Sequence, residues 1–154
     1  MRIALGADDS THVVDAVAEF LSAAGHHVTR YGKAAGEAEA WAATGRRVAE
    51  AVANGSAEQG IVCCWTGTGV SIAANKVPGI RAALCVDAET ARGARKWNDA
   101  NVLALSLRLT SVEVAKEILT AWLAEPSIGP ETETETEAES LAVLSALDDR
   151  RRGS

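Results

Sequence analysis

Short apolar runs alternate with longer amphipathic stretches over the first 125 positions of the chain. The runs at 2–6, 27–31, 60–64, 81–86 and 101–105 predict strands. Between them, helical patterns lie near 11–24, 37–54, 69–76, 88–97 and 111–124. In the first, Val13, Val14, Val17, Phe20 and Leu21 recur at helical spacing. In the last, Val112, Val114, Ala115, Ile118, Leu119 and Trp122 do so, with Thr110-Ser111 as a cap and Glu113 in the first turn. Strand–helix alternation of this kind predicts a parallel sheet covered on both faces. Ligands of such sheets bind beyond the carboxyl ends of the strands. Asp8, Cys64, Asp87 and Arg108 all fall at or just past a predicted strand end, which allows them to converge.

The core pattern stops near Pro126, giving a first domain of residues 1–125. Gly129-Pro130 and an alternation of Glu and Thr from Glu131 to Glu137 read as a solvated acidic linker, 126–137. Residues 138–154 regain an amphipathic pattern through Leu141, Leu144 and Leu147. That segment reads either as a short helix lying on a partner subunit or as a frayed tail. Arg150-Arg151-Arg152 reads as a solvated end.

Composition narrows the function classes. The 154 residues are 47% hydrophobic, enough for one packed domain. A net charge of −6 counts against a nucleic-acid partner, whose footprint is basic. No apolar stretch reaches membrane-spanning length, and the N-terminus enters a strand pattern without a signal-peptide core. The three cysteines are odd in number, two are adjacent, and none has zinc-type spacing. This predicts free thiols in a reducing, cytoplasmic setting.

The chemistry concentrates between Gly60 and Lys76. A β-branched run ends in Cys63-Cys64, and Trp65-Thr66-Gly67-Thr68-Gly69-Val70-Ser71 leads into an Ala-rich helix. That order sets a thiol at a strand tip and several main-chain N–H groups in the following turn, where an anion can sit. A thiol facing a positive helix end loses its proton more easily than a free one. Cys63 points to the opposite face of the strand, and Cys85 lies within a strand, so both read as core. Asp8 reads as a site residue or a helix cap, and Asp9 as a second acid or a solvated cap. His12 is the one histidine close to the first loop, whereas His26 and His27 read as structural.

These residues resemble the family of ribose-5-phosphate isomerase B and the galactose-6-phosphate isomerase subunits. The matching pieces are Cys64, Thr66-Gly67-Thr68-Gly69, Ser71 to Lys76, Pro78 to Leu84, Asn98-Asp99-Ala100-Asn101-Val102-Leu103 and the N-terminal Ile3 to Asp8, covering roughly residues 1–125. The resemblance implies a three-layer αβα, Rossmann-like α/β domain with a five-stranded parallel sheet. It implies a homodimer or homotetramer with active sites at the subunit interface. It also implies aldose–ketose isomerisation of a sugar phosphate through a cis-enediolate, without metal or organic cofactor. By the same resemblance Cys64 is the proton-shuttling base and Thr66 assists ring opening. The amides from Gly67 through Thr68, Gly69 and Val70 to Ser71 hold the enediolate oxygens. Asp8 binds sugar hydroxyls, Asn98 binds near the reacting end, and Arg108 helps hold the phosphate.

The departures share a direction. Asp9 and Trp97 stand where the family has histidines, Trp65 stands where it has glycine, and Trp41 lies near its tyrosine. The family's C-terminal arginines have no equivalent near Glu131 and Glu135. Indole has no proton that titrates in the useful range, so imidazole-assisted ring opening is lost while proton transfer at Cys64 is kept. Trp41, Trp65 and Trp97 are expected at the mouth of the site. The reading is an isomerase whose substrate differs from ribose 5-phosphate, for which a four-carbon sugar phosphate is a candidate. The alternative is a non-catalytic subunit or sugar-binding module of the same fold. A nucleotide-binding Rossmann protein is disfavoured, because no G-x-G-x-x-G opens the first helix.

Overall fold

The computed structural model describes residues 1–128 and 134–153. Gly129-Pro130 and the first part of the Glu/Thr run lie outside the described residues. The strands are β1 (Arg2–Ala7), β2 (His27–Gly32), β3 (Gln59–Cys64), β4 (Ala82–Leu84) and β5 (Val102–Ser106). The helices are α1 (His12–Ala23), α2 (Trp41–Ala53), α3 (Thr68–Ala74), α4 (Ala88–Asn98), α5 (Val112–Ala124) and α6 (Glu135–Arg152). All strand pairs are parallel, in the order β2-β1-β3-β5-β4. The expected Rossmann-like α/β architecture with five parallel strands is therefore the one observed.

Strand alternation divides the apolar residues between two cores. Ile3, Leu5, Cys63, Leu103 and Leu105 pack with Val14, Val17, Ile118 and Trp122 from α1 and α5. Ala4, Val62, Cys64, Val102 and Ala104 pack with Val48 of α2 and Val70 and Ala74 of α3. The chain order reverses direction across the sheet between β1 and β3, the position where open parallel sheets form a crevice. Helix caps follow the sequence signals: the Ser111 hydroxyl accepts from the Val114 amide at 3.2 Å, and Thr11 caps α1.

Three element boundaries differ from expectation. α2 begins at Trp41 rather than near 37, because the chain first makes a 3₁₀ turn at Lys33–Ala35 closed by Gly36 in the left-handed region. β4 keeps only three residues as an edge strand, shorter than the 81–86 run. α6 begins at Glu135, inside the run expected as linker. Its start is fixed by a capping box in which Thr134 and Glu137 exchange side-chain-to-backbone bonds. The basic end is not simply solvated, since an Arg151 Nη1 donates to the Asn75 carbonyl at 2.8 Å. Among the described residues no helix is long and apolar enough to cross a membrane.

Candidate active site

Three adjacent strands deliver three of the expected groups to one edge. β1 runs into Asp8, β3 ends in Cys64, and β5 runs into Leu107-Arg108. The Asp8 amide donates to the Cys63 carbonyl at 3.2 Å, the Leu107 amide to the Cys64 carbonyl at 2.9 Å, and the Arg108 amide to the Trp65 carbonyl at 2.9 Å. Ser106 secures the same loop: its hydroxyl donates to the Trp65 carbonyl at 3.0 Å and accepts from the Leu109 amide at 3.2 Å. This serine carries no separate mark in the chain; its signal is its place at the end of a strand.

Cys64 is 5% exposed and faces the α2/α3 side. Cys63 faces the other core, where burial pushes its thiol up to about 12. Cys85 is also buried, and desolvation raises its thiol to about 12. Only Cys64, of the three, stands at the strand tip beside the turn.

The turn after Cys64 depends on Gly67, which sits at φ 75° as the N-cap of α3. A Cβ there would lie 2.5 Å from Leu84 Cδ1, 2.9 Å from the Leu105 carbonyl carbon and 3.0 Å from the Ser106 nitrogen. The Gly67 amide is engaged with the Cys64 carbonyl at 3.2 Å, and the Ser71 amide with the Gly67 carbonyl at 3.3 Å. The amides of Thr68, Gly69 and Val70 precede the first intrahelical bond and have no partner among the described residues. The available donors are thus three rather than the five of Gly67 to Ser71. The hydroxyls of Thr66 and Thr68 bond each other at 2.7 Å on the exposed side of this turn.

Asp8 is half-buried, and its Oδ1 is buried without a hydrogen-bond partner. Desolvation, and then the charge of Asp9, hold its carboxyl above the usual carboxylate range. An orphaned acceptor at the mouth of a crevice is what a ligand hydroxyl would satisfy. Asp9 is exposed, and its own Oδ1 accepts from the Ser10 amide at 2.8 Å.

The tryptophans occupy separate places. Trp41, the first residue of α2, packs its indole against Gly69, whose Cβ would come within 2.9 Å of Trp41 Cε3. Trp65 projects into solvent directly after Cys64. Trp97 lies back on Gly93 of its own helix and lines a depression of about 520 Å³ with Asn98, Ala83 and Leu84. Leu84 also borders Gly67, so this depression adjoins the turn on its β4 side.

Asp87 does not join the cluster. Its Oδ1 accepts from the Thr90 amide at 2.7 Å, capping α4 on the edge strand's side, and this bonding holds its carboxyl low. In the Asn98–Asn101 segment the roles divide. Asn101 Oδ1 accepts from the Arg81 amide at 2.9 Å and its Nδ2 donates to the Gly79 carbonyl at 2.9 Å. Asp99, at φ 46°, pairs with Arg81 at 2.7 Å. Both fasten the loop, whereas the exposed Asn98 is left to face the groove. Among the described residues no group of three His, Cys, Asp or Glu is placed to hold a metal ion.

A family model described as Ribose/Galactose Isomerase matches residues 3–140. The chain is 41% identical over 125 residues to a D-erythrulose-4-phosphate isomerase of Pectobacterium atrosepticum, covering 80% of this chain and 82% of that one. It is 42% identical over 105 residues to ribose-5-phosphate isomerase B of Escherichia coli, covering 68% and 67% of the two chains. A ribose-5-phosphate isomerase B structure from Clostridium thermocellum superposes with a TM-score of 0.86 at 37% identity, over 97% of this chain and 99% of the other. A parallel sheet that brings a thiol, a carboxylate and an arginine to its carboxyl edge thus comes with sequence likeness along most of its length, and the chain belongs to the ribose/galactose isomerase family of sugar-phosphate isomerases.

Proposed function

We propose that the chain interconverts an aldose phosphate and a ketose phosphate of four carbons, with Cys64 as the base. The thiolate removes the proton from the carbon beside the carbonyl, leaving a cis-enediolate. The thiol so formed returns that proton to the neighbouring carbon, while the hydroxyl proton passes from one enediol oxygen to the other. The amides of Thr68, Gly69 and Val70 stabilise the charge that develops on oxygen. Asp8 accepts a substrate hydroxyl at its unpartnered Oδ1, and Asn98 contacts the reacting end. Thr66 and Thr68, whose hydroxyls bond each other at 2.7 Å, offer hydroxyl partners on the turn that follows the thiol.

The observation that carries this reading is the placement of Cys64 at a strand tip, beside a turn with three unengaged amides. The choice of a tetrose rests on chemistry. A four-carbon sugar phosphorylated at its terminal oxygen has no hydroxyl from which to close a five-membered ring. It therefore needs no imidazole for ring opening, and Asp9 and Trp97 supply none. The likeness to a D-erythrulose-4-phosphate isomerase over 80% of the chain supports the same size class. Self-association would cover the exposed Trp97 side and the Val143, Leu144 and Leu147 side chains of α6, and a homodimer with sites at its interface is part of the proposal.

The test is solvent-deuterium incorporation into erythrulose 4-phosphate and ribose 5-phosphate, with the native chain and with Cys64→Ser. Incorporation into the tetrose should fall by about 10²–10⁴-fold in the variant, the usual span for a general base. Equal or greater turnover of the pentose overturns the choice of substrate. No incorporation into any sugar phosphate would leave the non-catalytic subunit as the better reading, one that the near-complete burial of Cys64 favours.

A further inference from the structure

Arg95 of α4 is a buried cation that takes no part in proton transfer. It is 2% exposed, and among the described residues no carboxylate pairs with it. The carboxylates of Asp99 and Glu125 are directed elsewhere, to Arg81 at 2.7 Å and to Arg92 at 3.7 Å. Arg95 is held by neutral oxygens instead. Its Nη1 donates to the Ala100 carbonyl at 2.6 Å, and its Nη2 to the Glu125 carbonyl at 3.2 Å and the Ser127 hydroxyl at 3.4 Å. Its Nε is buried with no partner, and its guanidinium carbon stands 5.4 Å from the centroid of the buried Trp122 ring. We propose that Arg95 is a positioning residue for the isomerisation, a brace between the end of α4 and the segment after α5 that fixes Asn98. The inference rests on the isomerase reading above, in which Asn98 contacts the reacting end, and adds the group that holds it there.

Packing alone gives no reason to keep this charge. A buried cation without a counter-ion opposes folding, and a methionine would fill the same space over Trp122. What the guanidinium adds is reach. Its planar fork bonds acceptors on two separate segments at once, residue 100 and residues 125–127, where an ammonium would reach one.

Asn98 needs such a support. Among the described residues no hydrogen bond holds its exposed side chain, so the backbone alone sets where it stands. The next residue, Asp99, has φ 46°, and among the described residues no other non-glycine has a positive φ. A turn of that kind persists only where its surroundings over-determine it. Ala100 closes the turn with both of its polar groups: its amide donates to the Ala94 carbonyl at 3.0 Å, and its carbonyl accepts from Arg95. Asp99 Oδ1 accepts from the Ile128 amide at 3.1 Å, a second tie to the chain leaving α5. The turn is therefore clamped to residues 125–128 from two sides, and Arg95 is the clamp sealed from water.

The experiment is a double-mutant cycle on the full chain, read by steady-state kinetics on whichever of erythrulose 4-phosphate and ribose 5-phosphate the native chain turns over faster. Arg95→Lys keeps the charge but breaks the bridge, and should lower kcat by about 10–100-fold with KM kept within about threefold. Arg95→Met keeps the contact with Trp122 and removes the buried charge, so it decides the matter where the lysine variant fails to fold, and it should lower kcat at least as far. In an Asn98→Ala background the same Arg95 substitution should lower kcat by no more than about twofold, because the group it positions is gone. A merely structural role would depress kcat equally in both backgrounds, and that result overturns the proposal. Native kcat in the Arg95 variants, or in Asn98→Ala alone, overturns it too. Each of these outcomes leaves the isomerase reading standing. A native chain that turns over neither sugar phosphate overturns both together.

Discussion

Replacing Gly67 by alanine tests the active-site turn most directly. The residue sits at φ 75°, where an L side chain is strained by about 1–2 kcal/mol. The new methyl would also meet the Leu105 carbonyl carbon at 2.9 Å and the Ser106 nitrogen at 3.0 Å. Those atoms belong to β5, which is paired with β3 and cannot yield as a side-chain end can. Relief requires the turn to move outward, and overpacking of this kind costs about 1–3 kcal/mol. Together the two effects predict a loss of about 2–5 kcal/mol, or roughly 4–20 °C in Tm for a chain of this size. Because the turn carries the Thr68–Val70 amides beside the thiol, a shift of about 1 Å should also lower kcat by about 100-fold. Gly69→Ala is the control. The three atoms nearest its methyl all belong to the Trp41 indole, with Cε3 at 2.9 Å, and this half-exposed side chain can shift where backbone cannot. Calorimetry and turnover of erythrulose 4-phosphate would be compared for the two. A Gly67→Ala protein within 1 kcal/mol of native stability and with native kcat would refute the account of this turn.

Two further substitutions separate stability from function. Asp8 has its proton affinity raised in the folded state, chiefly by desolvation, so its ionised form opposes folding. The penalty is absent below the unfolded carboxyl range and grows as pH rises through the folded value, so stability falls over that window. Asp8→Asn should therefore gain stability at pH 7 and flatten the acid side of the stability profile, while lowering kcat/KM; loss of stability at pH 7 would contradict the assignment. Trp122 is fully buried, and its Nε1 donates to Gln59 Oε1 at 2.7 Å. Trp122→Phe strands that amide and opens space, and urea unfolding should show a loss of about 3 kcal/mol; a loss under 1 kcal/mol would mean the bond contributes little.

The strands and the site-bearing loops were legible because their signals are local. Alternating apolar runs locate β1, β3 and β5, and a glycine after a strand-end thiol announces a turn. The start of α2 was not legible, because a 3₁₀ turn and the Glu37 and Glu39 contacts to Arg47 hold residues 33–40 outside the helix. Those partners are eight and ten residues apart, beyond the reach of periodicity. Asp87 looked like Asp8 in the chain, but a helix beginning at Ala88 claims it as a cap. Asn98, Asp99 and Asn101 read as one motif, and only folding shows that two of them fasten a loop and one faces a groove. The end of the linker is not legible in composition, because Thr134 and Glu137 form a capping box within a stretch whose composition alone suggests disorder.

Adjacent residues on a strand look in opposite directions, and here that separates two sulfurs by their chemistry. Cys63 and Cys85 lie sealed in the α1/α5 core as little more than small apolar fillers. Cys63→Ala with Cys85→Ala would leave a single thiol in the molecule, standing at the tip of β3 beside the crevice. A fluorinated or nitrile label attached there would report on occupancy of the site from one defined position, free of background from any other thiol.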